Sequence, residues 1–258
     1  MIFESHAHYD DTAFEQDRHQ LLLEMNDNGI EYIINVSSDL ESVRTTLEIV
    51  EKYDFMFAAV GIHPSDSAEL DEEQFKWLEE QARKSKVVAI GEIGLDYYWE
   101  EPDREIQKIW FIRQLELAKK LKKPVIIHSR DAASDTLSIL QSKEAEDVSG
   151  VIHCFSYTKE TAKILLEKGY YFGIGGVITF SNAKKLVEAV EYLPIDKILL
   201  ETDSPYLAPV PNRGKRNSSL NIPYIAEKIS EIKKIPYDVV IEKTNKNARE
   251  LFQINSIR

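Results

Sequence analysis

The sequence predicts an α/β protein built as a (β/α)8 TIM barrel, a single domain over residues 1–258 with extra C-terminal helices. Three observations carry this expectation. Short β-rich runs alternate with amphipathic helical stretches eight times, the pattern of a parallel sheet with crossover helices. Several runs are continuously apolar, VVAI, PVII and KILL among them, as strands buried on both faces require. Histidines and carboxylates fall repeatedly at the C-terminal ends of those runs. A doubly wound open sheet also satisfies the alternation. The third observation favours the closed barrel, whose working side chains stand at one mouth.

Strands are expected at 2–6, 31–36, 56–61, 87–92, 124–128, 149–153, 170–175 and 197–202. Between them the apolar period changes to that of a helix. Leu21, Leu22 and Met25 line one face ahead of Gly29, a C-terminal cap. Leu40, Val43, Leu47 and Val50 form the stripe of the second helix, and Phe75, Leu78 and Ala82 that of the third. Ala162, Leu165 and Leu166 precede Gly169 in the sixth. Residues 221–254 read as two more helices outside the alternation. No low-complexity tract, linker or heptad run divides the chain.

Apolar residues make up 43% of the chain, enough for one sizeable core. No apolar stretch reaches the ~18 residues of a membrane span, so no membrane association is expected. The first candidate ligands appear within MIFESHAH, which leaves no room for a signal peptide. The single cysteine, Cys154, rules out an intramolecular disulfide. Both point to a cytoplasmic protein. A formal net charge of −12 repels polyanions at long range and argues against a broad surface that coats nucleic acid. It leaves room for an enzyme whose local site carries cations, because bound metal ions lie outside the formal count.

Five of the six histidines stand at strand ends, and only His19 lies in a helical segment. In FESHAH, His6 and His8 are alternate residues, so both imidazoles point to one side and can reach one ion. His128 ends PVII and His153 ends GVI. Singly, such a histidine is more often a hydrogen-bonded rim residue. Together, facing a third strand that ends in Glu92, they read as metal ligands. Glu92 lies between the two pairs in strand order, and a carboxylate can give one oxygen to each of two ions. It is the natural bridge of a two-metal site. Asp203, in LLETDSP, reads as a ligand of the first ion that also accepts a proton from the attacking water. Asp-Ser-Pro is turn chemistry too, and a turn aspartate is the alternative. His63, in GIHP, is left to orient the nucleophile or a substrate phosphate, the alternative being a strand-capping histidine. Cys154, as the strand neighbour of His153, is expected to point away from the axis as a small buried hydrophobe. Imidazole suits Zn, Ni, Cu or Fe, and carboxylate widens the choice to Mg and Mn.

After the eighth strand, Pro211-Asn212-Arg213-Gly214-Lys215-Arg216-Asn217 places three cations in a Pro/Gly-rich loop. Phosphate binding near this loop is a frequent use of the fold, so Arg213, Lys215 and Arg216 read as an anion clamp to which Arg130 adds. A solvated basic loop is the alternative. Lys119, Lys120, Lys122 and Lys123 read as a solvated helix face. Tyr97, Tyr98 and Trp99 can stack on bases beside the mouth or pack beneath a loop.

Together these segments resemble the TatD-related deoxyribonucleases, metal-dependent hydrolases of the amidohydrolase-like barrel group. The resemblance is carried by SHAHYDD, VGIHP, GEIGLDYYW, KPVIIHSRDA, GVIHCFS, IGGVITFSNAKK and LLETDSPYLAPVPNRGKRN, in order from residue 5 to 217. By position it implies that His6, His8 and Asp203 hold one divalent ion, that His128 and His153 hold a second, and that Glu92 bridges them. It further implies a deoxyribonuclease, exonuclease-like on single-stranded DNA, with no stable protein partner. Family activity goes with Mg or Mn, whereas the histidine-rich set favours Zn or Ni as the ions carried by a purified sample. Glu4 stands where an aspartate is usual, Tyr157 replaces a common glycine, and Ser218-Ser219 replace the usual residues after KRN. None removes a ligand. Tyr157 and the two serines are expected near the mouth, where they bear on substrate preference.

The expected chemistry is two-metal phosphodiester hydrolysis. Asp203, Glu92 and His63 act at the reacting atoms, while Arg130, Arg213, Lys215, Arg216 and Tyr97 hold the substrate. The alternative is another metal-dependent hydrolase of the amidohydrolase type, acting on a small amide, lactone or phosphoester. The basic loop Arg213-Gly214-Lys215-Arg216 is what separates the two.

Overall fold

In a computed structural model that describes residues 1–254, eight parallel strands pair in chain order. Residues 255–258, the end of the expected domain, lie outside the described residues. The strands are β1 (Ile2–Ala7), β2 (Ile30–Val36), β3 (Met56–Val60), β4 (Val87–Asp96), β5 (Val125–Arg130), β6 (Gly150–Ile152), β7 (Tyr171–Ile174) and β8 (Ile198–Leu200). The residues after β8 return to β1 through a parallel bridge between Ala7 and Ser204. The His8 N–H donates to the Ser204 carbonyl at 2.8 Å, and the Asp203 N–H to the His6 carbonyl at 3.0 Å. These contacts complete the ring at the mouth.

Helices follow each strand: α1 (Arg18–Leu23), α2 (Leu40–Val50), α3 (Glu72–Ala82), α4 (Arg104–Leu121), α5 (Ala133–Leu140), α6 (Lys159–Glu167), α7 (Lys184–Tyr192) and α8 (Ile222–Lys233). The expected apolar stripes face the sheet, and α2 and α3 begin in capping boxes formed by Asp39 with Ser42 and by Asp71 with Gln74. Gly29, at φ 83°, closes a short 3-10 turn over Asn26–Asn28 that follows α1, one step beyond the helix it was expected to cap. Of the two C-terminal helices, α8 completes the eighth β–α unit and α9 (Tyr237–Phe252) is additional.

The additional helix explains why function sits at one end. Inward-facing Phe3, Ile34, Ala59, Ala89, Ile126, Val151 and Leu199 form one buried cluster with Ala248, Leu251 and Phe252 of α9. Leu251 and Phe252 plug the N-terminal end of the barrel, each burial contributing roughly 1.5–3 kcal/mol. The C-terminal end stays open to polar groups. Two register shifts mark it: β1 against β2 between Glu4 and Ala7, and β4 against β5 between Ile90 and Ile93. They bracket His6 and Glu92, and an irregularity of this kind re-aims a strand side chain. Among the described residues no helix is long and apolar enough to cross a membrane.

Candidate metal centre

The C-terminal strand ends bring the expected ligands together around Glu92. The Nε2 atoms of His6 and His8 are 3.0 Å apart. Asp203 Oδ1 lies 3.6 and 3.4 Å from them, and Glu92 Oε2 lies 3.5 and 3.7 Å away. The other Glu92 oxygen, Oε1, lies 2.8 Å from His128 Nδ1 and 3.5 Å from His153 Nε2. Each carboxylate oxygen therefore faces its own pair of histidines, as a bridging ligand requires. Gly94 lets β4 lie flush against β5 here, since a Cβ at that position would come within 1.9 Å of the His128 carbonyl. Glu92, His8, His128, His153 and Asp203 line a cavity of about 790 Å³, while His6 is fully buried beside it.

The electrostatics call for cations. Burial works against the Glu92 charge, yet His153 and His6 hold its carboxyl well below the usual range. Asp203 is likewise lowered against the cost of burial, by His8 and His153. In return, burial depresses the histidines but the facing carboxylates outweigh it at three of them, His128 being raised by Asp96 and Glu92. His8 is pushed up to about 9, chiefly by Asp203, and His153 to about 10, by Glu201 and Glu92. His6 is lowered, by burial and by neighbouring His153. Concentrated carboxylates in a dry pocket are stable only when paired or bound to metal. His6, His8 and Asp203 bring ligand atoms within 4.8 Å of one another, and so do Glu92 and His128, with His63 at the same range but not as a donor to an ion. Nitrogen and oxygen donors in this arrangement fit divalent ions.

Hydrogen bonds at the far side of each ring divide the histidines by role. His8 Nδ1 is 2.7 Å from the Val36 carbonyl, so one proton sits there and Nε2 is the nitrogen that can give up its proton and offer a lone pair to an ion. His128 places one nitrogen on Glu92 and the other 3.0 Å from Asp96 Oδ2. His63 is wired in the opposite sense. Its Nδ1 accepts the Ser65 N–H at 3.1 Å, capping the 3-10 segment Pro64–Glu69. Burial lowers its pKa to about 3, so the ring is neutral and carries its proton on Nε2, which faces Glu92 Oε1 at 3.9 Å. His63 is thus both a capping residue and a hydrogen-bond donor to the cavity, and its tautomer is wrong for a ligand.

The expected substrate residues separate. Arg130 lines the cavity with its guanidinium stacked 3.7 Å above Tyr98, and Trp99, 59% exposed, stands beside them. Tyr97 does not reach the cavity. Its hydroxyl donates to Asp135 at 2.7 Å and Arg104 covers its ring, so it packs beneath the loop. The basic loop after β8 is turned outward. Arg216 forms a bidentate pair with Asp17, Arg213 stacks on Phe180, and neither they nor Lys215 line the cavity. Cys154 also departs from expectation. β6 stops at Ile152, Cys154 has φ 45°, and its side chain lines the cavity where strand alternation would have turned it away.

The unusual residues lie deeper than expected. Ser219 is fully buried, and its hydroxyl is 2.8 Å from that of Tyr9. Glu4 is fully buried and accepts from the His6 N–H and from both the N–H and hydroxyl of Thr202. Burial pushes it up to about 8. It ties β1 to the segment after β8. Tyr157 is half-buried, with its hydroxyl 2.9 Å from that of Ser129.

Asp66 on the cavity wall supplies a test of the local field. Burial, with Asp39 and Glu69 nearby, raises it from 3.8 to about 6. A raised carboxylate favours the folded state below the unfolded value, and that contribution is lost as pH rises towards 6. The side chain is half exposed, so screening leaves about 1 kcal/mol at most. Asp66→Asn is expected to raise Tm at pH 8 by about 2–4 °C and to leave it unchanged at pH 4. Thermal melts at the two pH values check this, and an equal shift at both would refute it.

A hydrolytic metal centre at the C-terminal mouth of a barrel defines a class, the metal-dependent hydrolases. Within that class the chain belongs to the TatD related DNase family, whose sequence model matches residues 3–253. It is 40% identical over 255 residues to the uncharacterized metal-dependent hydrolase YabD of Bacillus subtilis (strain 168), covering 99% of this chain and 100% of that protein. It is 36% identical over 261 residues to the uncharacterized metal-dependent hydrolase YcfH of Escherichia coli (strain K12), covering 100% and 97%. The crystal structure of YjjV, a TatD homolog from Escherichia coli K12, superposes with a TM-score of 0.92 at 30% identity over 98% of each chain.

Proposed function

We propose that this hydrolase cleaves phosphodiester bonds of DNA, releasing nucleotides from single-stranded ends with two divalent ions bound. The supporting observation is Arg130 stacked on Tyr98 beside exposed Trp99, at the lip of a cavity floored by ligands. A cation for phosphate and an aromatic face for a base are the two contacts that single-stranded nucleic acid needs. The family's description as DNases agrees with it. The single cysteine suits work in a reducing cytoplasm.

When bound, the ions supply a lowered water pKa and a clamp on phosphate oxygens. Mg or Mn suits turnover, with Zn or Ni able to occupy the same donors. His6, His8 and Asp203 would hold one ion, His128 and His153 the other, and Glu92 both. Asp203 takes the proton of the attacking water. His63 donates its Nε2–H to the scissile phosphate, and Arg130 grips a neighbouring one.

A nuclease assay with Mg or Mn on 3′- and 5′-labelled single- and double-stranded oligonucleotides tests the reading. Metal-dependent hydrolysis of small amides or lactones, with oligonucleotides left intact, would instead place the substrate with the wider amidohydrolase type. Arg130→Ala is expected to raise KM for single-stranded DNA by roughly 10–100-fold, the worth of a charge-assisted hydrogen bond, with a smaller change in kcat. Arg213→Ala should stay within about twofold, because its side chain stacks on Phe180 outside the cavity. Steady-state kinetics of the two variants distinguish the lip from the outward loop.

A further inference from the structure

One buried carboxylate beneath the metal centre has no part in the chemistry above. Glu201, the first residue after β8, is 1% exposed. Its Oε1 accepts the Cys154 N–H at 2.6 Å and lies 3.1 Å from His153 Nδ1. Among the described residues, His153 Nδ1 makes no other contact of this kind and is not aligned for a full hydrogen bond to Glu201 at that distance, and His6 Nδ1 and Glu201 Oε2 have no hydrogen-bond partner. Buried polar atoms are rarely left so. The His6 and His153 rings are stacked with centroids 3.6 Å apart, and His6, His153 and Glu201 bring ligand atoms within 4.8 Å of one another. The fold reserves space for this carboxylate. A Cβ at Gly173 on β7 would come within 2.0 Å of Glu201 Oε2.

We infer that Glu201 is the positioning residue of His153, fixing its proton on Nδ1 and aiming Nε2 at the Glu92 side of the cavity. A ring nitrogen can give a lone pair to a cation only while the proton sits on the other nitrogen, and a carboxylate behind the ring both holds that proton and raises the basicity of the ligating atom. His8 has the Val36 carbonyl for this purpose and His128 has Asp96. Glu201 fills the same office for His153. It does not share an ion with the ring's other end, because His153 Nε2 faces Glu92 Oε1 at 3.5 Å while Nδ1 faces Glu201. The inference rests on the proposed paired-ion centre in taking His153 as a ligand.

The test is Glu201→Gln, which keeps an acceptor for the Cys154 N–H and removes the charge. Zn or Mn titration followed by calorimetry is expected to show the wild-type number of ions at saturation, with one of them bound about 10–100-fold more weakly. Unchanged affinities would overturn the inference, and so would loss of an ion at saturation, which would make Glu201 a direct ligand. A wild-type stoichiometry of one ion would defeat the paired-ion reading, whereas this inference depends on whether the substitution weakens binding. A second measurement needs no variant. In the Zn-loaded wild-type protein, ¹⁵N-histidine NMR is expected to show His153 protonated at Nδ1 and metal-bound at Nε2, and the reverse tautomer would refute the assignment.

Discussion

Glu92→Ala is expected to lower kcat by about a thousandfold or more, the several kcal/mol that bound ions contribute to such a transition state. Five histidines, His6, His8, His63, His128 and His153, each place a nitrogen within 3.9 Å of this one carboxylate. Its two oxygens divide four of them between two ligand sets, His6 with His8 and His128 with His153. On the proposed paired-ion reading, removing the two oxygens takes a donor from both ions at once and leaves His153, pushed up to about 10 in part by this charge, without one of its main counterparts. The loss therefore exceeds that of any single histidine, which would strip a donor from one ion only. Glu92→Gln, which preserves volume, is expected to fall in the same direction. Turnover on labelled oligonucleotides, measured with metal content and circular dichroism, checks this. A folded Glu92→Ala protein within about tenfold of wild-type turnover would remove Glu92 from the bridging position.

Most of this centre was legible in the sequence because the barrel delivers ligands by a rule of position. His6, His8, Glu92, His128, His153 and Asp203 were found as polar residues closing apolar runs, and the structure gathers them. What escaped depended on where each strand ends. β4 was expected to stop at Glu92 but continues to Asp96 past a register shift, which carries Asp96 to His128. Glu201 stands two residues before Asp203, the same spacing that singled out His6 and His8. Glu201 and Asp203 both lie beyond Leu200, the end of β8, and Asp203 has a left-handed backbone, so strand alternation does not extend to this pair. The residues around Cys154 leave the strand through a left-handed backbone, which no period-two pattern reveals. The orientation of the basic loop was least legible. It follows from Arg216 meeting Asp17, 199 positions away in the chain, and only the closed fold creates that contact.

Asp203→Asn tests a different link, the movement of a proton rather than the binding of ions. Asp203 follows β8 with φ 59°, a left-handed conformation that aspartate and asparagine both tolerate. Its N–H donates to the His6 carbonyl, an anchor that the substitution leaves intact. Asparagine also keeps an oxygen for the position now 3.4 Å from His8 Nε2. Backbone and shape are thus retained, and what disappears is a carboxylate held ionised by His8 and His153 against the cost of burial. If that group accepts the proton of the attacking water, kcat is expected to fall by roughly 10²–10⁴, the usual share of a general base. KM for the oligonucleotide should change little, since Arg130 and the aromatic lip lie elsewhere in the cavity. The variant must be assayed at metal concentrations that saturate it, so that weakened binding is not mistaken for lost proton transfer. Near wild-type turnover under that condition would show Asp203 to be a ligand alone and would leave the proton to bulk water or another cavity group. A full loss that excess metal does not rescue would assign both duties to one side chain. That economy is open to a carboxylate at the cavity wall, which can turn one oxygen to an ion and the other to the water beside it.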